Sequence, residues 1–433
     1  MSFTVDDLDD LVAKASTELG LGHPDVLALL PIDLQYSTVV DQSLDPFSPE
    51  YFAQQLELYA EIAGRPLHQE SGELHPVDVD ALARHPNALG VGDVAFISDH
   101  LRSLSTMVSV ACLRPHARVL DMGAGHGLAS EVFATCGCEV HAVDIDPGST
   151  ELGLRRARER GLPIERSMLN YDDVATLPVG GFDAAFFFQS LHHCLQPWRL
   201  IGDLAGKLSD DAVIAFTGEP MQTHWWRHWG LRLDTESLYV ARRYGWFESG
   251  WSHEFIRECF ARNGFELRIF VIGGESGREI GVAARVPARL EPVVERARVL
   301  GLPELGRPGH ELVGFLSEIG LRTVESVMAT RPGHTGGYLC FGPYKPARAG
   351  RYVAEIRCEH VDGGSDTVLF DIASRQGMQV HLAQRLTVRT GDSRSFRFEF
   401  RLPTDAVDIE LRLRVNDGGQ WTCTEPTLVR SGS

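Results

Sequence analysis

The chain has little that would tie it to a polyanion or a bilayer. Bases number 41 against 59 acids, a formal net charge of −18 at pH 7, so a phosphate backbone is repelled and nucleic acid is excluded as the main substrate. No apolar run is long enough to span a membrane, and Met1-Ser2-Phe3-Thr4-Val5-Asp6-Asp7 lacks the charged-then-apolar pattern of a leader. A cytoplasmic protein is expected. Cysteines are few, 8 in 433 residues, and only Cys136 and Cys138 lie close together. Their spacing suits neither a zinc cluster nor a redox pair, so all are expected to be reduced and mostly buried. An apolar share of 43% and a charged share of 23% fit a soluble globular protein. The length calls for two or more packed units.

What is present centres on Arg118-Val119-Leu120-Asp121-Met122-Gly123-Ala124-Gly125-His126-Gly127, followed by Glu139-Val140-His141-Ala142-Val143-Asp144-Ile145-Asp146. The pattern predicts a buried strand, a glycine turn, a helix and a second strand ending in an acid, which is a nucleotide-binding βαβ unit. A dinucleotide site would need glycine or alanine where Leu128 stands, so that ligand class fails. An acid at the first strand's end suits a ligand with an amino group and a sulfonium, and none is needed to hold phosphate.

Asp121, Gly123, Gly125, Gly127 and Asp144 together resemble the first motif of the class I S-adenosylmethionine-dependent methyltransferases. The resemblance implies a Rossmann-like α/β core, S-adenosylmethionine as cofactor and S-adenosylhomocysteine as product. The implied cofactor contacts are Asp121, Gly123, Gly125, Gly127, Asp144, Ile145 and Gln189. Asp172 and Asp173 are alternatives for the adenine amino group, with Asp173 favoured.

Around that core the expected parts are an N-terminal helical lid region over 1–93, a methyltransferase core over 94–286, a helical bridge over 287–329 and a β-sandwich over 330–433. Helices are expected over Val5–Leu19, from Ser48-Pro49-Glu50 to Gly64, over Val94–Cys112, and at 128–136, 151–160, 197–208 and 253–263, with an extended linker at Arg65–Asn87. Arg155, Arg156, Arg158 and Arg160 read as a solvated helical face. Phe182–Gln189 is apolar almost throughout, as a central parallel strand should be, and a further strand is expected at Val213–Thr217.

Ligands in open α/β sheets lie beyond the carboxyl ends of the strands, which points to Ser190-Leu191-His192-His193. His192 and His193 are candidates for a base, or for a structural or cofactor-contact role. Glu219 and His224, with His228, are further candidate bases beside Trp225, Trp226 and Trp229. A metal held by Glu219, His224 and His228 is conceivable, but no metal ligand is assigned and a divalent metal is not expected. Leu238–Ser252 reads as an aromatic loop in which Arg242, Arg243 and Tyr244 could meet a phosphate or carboxylate on the acceptor.

From Thr330 onward the alternation predicts an antiparallel sandwich of about seven strands. Phe341-Gly342-Pro343-Tyr344 and Ala349-Gly350-Arg351-Tyr352 make it similar to jelly-roll-like modules of bacterial surface-glycan enzymes. The functional expectation is therefore O-methylation of a saccharide or glycoconjugate hydroxyl. The alternatives are methylation of a small secondary metabolite at oxygen or nitrogen, or a non-catalytic donor-binding scaffold. A homo-oligomer is possible in any of these.

Overall fold

The protein is described from a computed structural model covering residues 3–16, 34–68, 77–221, 225–272, 279–302, 304–305, 317, 319–324, 327–330, 333–334, 336–374, 377 and 379–431. The chain divides into two units, Met1–Leu302 and Pro303–Ser433.

Local capping sets the helix limits in the first unit. Helix α1 (Leu8–Ala15) buries Leu8, Leu11 and Ala15. Helix α2 (Pro49–Ala63) begins where Ser48 Oγ accepts the Tyr51 N–H at 3.1 Å, with proline in its first turn, and ends at Gly64 with φ 69°. The expected linker contains a short helix, α3 (Val79–Arg84), because Asp78 Oδ1 accepts the Ala81 N–H at 2.9 Å. Helix α4 (Val94–Ala111) turns Leu104, Met107, Val110 and Ala111 inward at helical spacing.

Strand β1 (Arg118–Met122), helix α5 (Leu128–Thr135) and strand β2 (Glu139–Asp144) follow as expected. Helix α6 (Pro147–Arg160) starts earlier than Glu151, since Asp146 caps it and proline occupies its first turn. Next come β3 (Ile164–Met168), β4 (Phe182–Phe188), α7 (Pro197–Ala205) and β5 (Leu208–Thr217), the last beginning five residues before Val213. The Leu238–Ser252 loop is corrected. Between β6 (Trp229–Leu231) and β7 (Ser249–Trp251), which pair antiparallel, lies helix α8 (Thr235–Arg243). Asp234 caps α8 through the Ser237 N–H at 3.0 Å, and Leu238 and Ala241 are its inward residues, so its polar residues alone gave the look of a loop. Helix α9 (His253–Ala261), strands β8 (Glu266–Val271) and β9 (Glu279–Ala284), and helix α10 (Glu291–Val299) complete the unit.

The seven strands lie in the order β8-β9-β5-β4-β1-β2-β3. Neighbours from β5 to β3 are parallel, while β9 joins β5 and β8 joins β9 antiparallel. The order reverses between β1 and β4, and ligands of open α/β sheets bind at such a switch point. One face of the sheet, with Val119, Phe186, Val213 and Ala215, packs on Leu104, Met107, Phe133 and Val293 from the covering helices. Arg156 is another correction. It is fully buried, donating to the Glu131 carboxylate and to the carbonyls of Leu82, His85 and Pro86, so it pins the segment after α3 instead of lining a solvated face.

In the second unit two antiparallel sheets share one core. Gly350–Asp362 is central to a six-stranded sheet with Ser393–Leu402 at its edge; Gly337–Ala347, Ala406–Val415, Thr367–Ser374 and Gln379–Thr387 make a four-stranded one. Ala354, Ile356 and Cys358 from the first meet Phe370, Ile372, Leu411 and Leu413 from the second. Near the end of the unit two strands, Gln420–Thr424 and Thr427–Arg430, are separated at Pro426, which cannot donate to a ladder. Leu321, taken as part of a helical bridge, lies in a strand, Gly320–Val324. Among the described residues no helix is long and apolar enough to cross a membrane.

Candidate active site

The glycine turn joins β1 to α5 at the switch point. Gly123, Gly125 and Gly127 all have positive φ, at 66°, 48° and 96°. Their surroundings differ. A Cβ on Gly123 would lie 2.3 Å from Tyr171 Oη and 2.7 Å from Ser190 Cβ, whereas one on Gly125 would meet nothing within 4 Å. Gly123 is thus a packing glycine, and Gly125 marks the open side where a ligand can reach the backbone. Asp144, at the end of β2, accepts the Gly125 N–H on Oδ2 at 2.6 Å and the Asp146 N–H on Oδ1 at 2.9 Å. It braces the turn while staying partly exposed.

Asp121 sits beneath the turn, 1% exposed, and accepts from the Ser130 hydroxyl. Burial pushes its carboxyl up to about 6, against the pull of Ser130 and Arg166. Arg166, a cation in β3, donates to Gly125 O and Ser149 O at 2.7 Å each, and burial lowers its pKa. Sequence reasoning missed Arg166; the available signal was a charge in the middle of an expected core strand. Ile145 is half-buried beside Asp144, and Asp172 and Asp173 are exposed on a 3-10 turn, Tyr171–Thr176. Gln189 follows β4 in a left-handed conformation, φ 50°, and donates its N–H to Thr217 O at 3.0 Å.

Beyond β4 the Ser190–His193 turn is held by Glu219. One Glu219 oxygen accepts the Ser190 and Leu191 N–H groups at 3.0 and 3.1 Å; the other accepts the His192 N–H at 3.1 Å and lies 2.8 Å from His192 Nδ1. The side chain is wholly buried and committed to these bonds, so it organises the turn. His192 Nε2 lies 3.2 Å from Glu248 Oε2, and His193 Nε2 lies 3.8 Å from Glu248 Oε1. Burial acts to lower the His192 pKa, but Glu248 and Glu219 outweigh it and lift the pKa to about 9. For His193, burial and then the neighbouring His192 push it down to about 4. Despite burial, the neighbouring His193 and His192, and then Arg232 at 3.4 Å, hold the Glu248 carboxyl well below the usual range. Glu248 was not singled out from sequence; its signal was a lone acid within Trp246-Phe247-Glu248-Ser249-Gly250-Trp251.

The aromatic stretch serves packing. Trp229 is buried against Tyr51, Trp198 and Phe255, with its indole N–H donating to Pro46 O at 2.7 Å, and Trp226 donates to Leu231 O at 2.7 Å. Arg242 forks onto Asp9 at 2.8 and 2.9 Å. His224 lies outside the described residues. Helix α2 reaches this region through Tyr51 Oη, which donates to Trp229 O at 2.6 Å, and Tyr59 Oη, which donates to Gly245 O at 2.7 Å.

Comparison with known proteins bears on residues 95–268, which match a family model described as a methyltransferase domain. The chain is similar to the ubiquinone biosynthesis O-methyltransferase of Xanthomonas axonopodis pv. citri (strain 306), 30% identical over 143 residues, covering 33% of this chain and 60% of that protein. It is also similar to its namesake from Xanthomonas campestris pv. campestris (strain B100), 33% identical over 100 residues, covering 23% and 42%. The chain therefore spans less than two thirds of the length of either relative. Among solved structures, magnesium protoporphyrin IX methyltransferase from Synechocystis PCC 6803 with bound SAM is 18% identical, covering 48% of this chain and 90% of that one, at a TM-score of 0.34. The glycine turn, the acid after β2, the strand order and the matched family model fall in one segment, and residues 95–268 form a methyltransferase domain of the class I S-adenosylmethionine-dependent type.

Proposed function

We propose that the chain transfers the methyl group of S-adenosylmethionine to a hydroxyl of a small acceptor. One juxtaposition carries the reading. The open glycine turn and Asp144 lie at the carboxyl ends of β1 and β2, and the His192–His193–Glu248 cluster lies beyond β4, the strand on the other side of β1. Ser190 Oγ ties the two together by donating to Met122 O at 2.7 Å. Bound there, S-adenosylmethionine supplies an electrophilic methyl carbon and leaves as S-adenosylhomocysteine. Asp144 is assigned to the ribose hydroxyls, the open face of Gly125 to the amino-acid portion, and Asp172 or Asp173 to adenine. Ile145 and Gln189 line the same place, while Gly123 and Gly127 shape the turn and Asp121 lies below it.

Of the candidate bases, Glu219 is assigned to positioning, because its oxygens are occupied by the turn. His193 and Glu248 are the groups assigned to face the acceptor, and most of the rate is assigned to alignment with the methyl carbon. An oxygen acceptor is supported by the two Xanthomonas relatives, which are named O-methyltransferases. Of the features that favoured a saccharide, Trp226, Trp229 and Arg242 are accounted for by packing and by the pair with Asp9. A sugar hydroxyl is therefore one class to screen beside phenols and catechols. The segment 1–93 is assigned as a covering layer, residues 94–286 as the catalytic core and 287–329 as a bridge. Every residue given a chemical role precedes the sandwich at 330–433. The test is release of S-adenosylhomocysteine from the full chain with hydroxylated acceptors, read together with the gain of a methyl group on the acceptor. Donor binding without turnover on any acceptor class would favour the scaffold reading.

A further inference from the structure

We infer that His192, His193 and Glu248 form a binding site for one divalent transition-metal ion, with Glu219 as its supporting carboxylate. The inference deepens the proposed activity and rests on it only for the role of the ion, not for its binding. One ligand atom from each of the three residues lies within 4.8 Å of the other two. A metal about 2.1 Å from its ligands sets neighbouring ligands about 3.0–3.4 Å apart in octahedral or tetrahedral geometry. His192 Nε2 to Glu248 at 3.2 Å and His193 Nε2 to Glu248 at 3.8 Å are close to that spacing before any ion has drawn them in.

The surroundings have the form that such sites need. A ligating histidine is ordinarily fixed by a carboxylate on its other ring nitrogen, and Glu219 lies 2.8 Å from His192 Nδ1 while gripping the backbone on either side. Ser249 Oγ donates to His192 O at 2.6 Å, fastening the turn to the strand next to Glu248. The rings of His192 and His193 lie 4.3 Å apart, tilted by 36°, which keeps both imidazoles at the same place. Two imidazoles and one carboxylate leave coordination positions open and suit manganese, iron, cobalt or zinc better than magnesium or calcium. The nearby Arg232 at 3.4 Å from Glu248 offsets part of the negative charge.

Within the proposed reaction the ion lowers the pKa of the acceptor hydroxyl. The proton leaves to solvent, the oxygen lone pair forms the new C–O bond, and the C–S electron pair returns to sulfur.

The experiment uses the full chain freed of metal by chelation and titrated with Co²⁺, read by its visible absorption bands and by calorimetry, then displaced by Zn²⁺. The expected result is one equivalent per chain. Glu248→Gln and His193→Ala should bind at least about tenfold more weakly, and Glu219→Gln about 10–100-fold more weakly as a supporting ligand partner. Circular dichroism establishes that each variant is folded. No stoichiometric Co²⁺ on the wild type, or equal binding by wild type and Glu248→Gln, would overturn the site and leave a hydrogen-bonded cluster only. S-adenosylmethionine titrated into the same metal-free protein separates the two readings. Donor binding without metal binding removes the ion and keeps the methyltransferase; metal binding without donor binding does the reverse.

Discussion

Replacing Asp121 by asparagine should make the protein more stable and a poorer binder of the methyl donor. The carboxyl is 1% exposed, and burial lifts its pKa from 3.8 to about 6. The folded state therefore holds this proton more tightly than the unfolded chain does. The contribution to stability is full below about pH 4, falls as the pH rises to about 6, and is flat beyond. At about 1.4 kcal/mol per tenfold change in proton affinity, the charged acid costs the fold about 3 kcal/mol at pH 7. Asparagine keeps an oxygen for the Ser130 hydroxyl and carries no charge to bury, so most of that cost should be recovered. Urea unfolding of wild type and Asp121→Asn from pH 4.5 to 8 reads the difference directly. The variant should gain about 1–3 kcal/mol at pH 7.5, with the gap closing toward pH 4.5, while other titrating groups cancel in the comparison. A variant less stable than wild type at pH 7.5, or a gap that does not move with pH, would refute the reasoning. The predicted gain would mean that the wild-type fold retains a destabilising charge beneath the turn proposed for a cationic donor, the usual trade between stability and function.

The remaining predictions concern packing and the turn. Gly123→Ala should cost well over the ~1 kcal/mol of a positive-φ alanine, because its Cβ would run into Tyr171 and Ser190, whereas Gly125→Ala should cost about 1 kcal/mol in stability and weaken the donor instead. Thermal unfolding beside donor titration separates these effects. Arg156→Ala should destabilise by about 3–5 kcal/mol, since it strands half-buried Glu131 and three carbonyls; a loss under 1 kcal/mol in urea would contradict it. Tyr51→Phe leaves Trp229 O without its buried donor and should cost about 1–3 kcal/mol. A melting temperature equal to wild type would show that this bond does not hold the covering helix in place.

The parts of this chain that were legible in its sequence are those where a local rule has one solution. Positive-φ glycines after a buried strand, Ser48-Pro49 opening a helix, and a largely apolar strand at Phe182–Phe188 all describe backbone needs that neighbours do not override. Helix α8 was missed because only Leu238 and Ala241 of its nine residues, with Ser237, are buried, leaving a polar face that reads as a loop. Arg156 looked solvated, and Arg242 looked available to an acceptor, because their partners, Glu131 and Asp9, are distant in sequence. The site shows the same division. The glycine turn is contiguous and its conformation was readable, but the cluster beyond β4 draws Glu219 and Glu248 from segments about thirty and fifty-five residues past the histidines. Only the β5-to-β7 excursion brings them together, and no spacing rule in one chain encodes it.

The central claim is that the turn between β1 and α5 holds S-adenosylmethionine, and calorimetric titration of the full chain tests it most directly. Wild type should bind both S-adenosylmethionine and S-adenosylhomocysteine at one site per chain. Asp144→Ala should bind both at least about tenfold more weakly, through loss of a charge-assisted bond worth about 1.5–3 kcal/mol and of the brace on Gly125. Absence of heat with either ligand in folded wild type, or unchanged affinity in Asp144→Ala, would contradict the account.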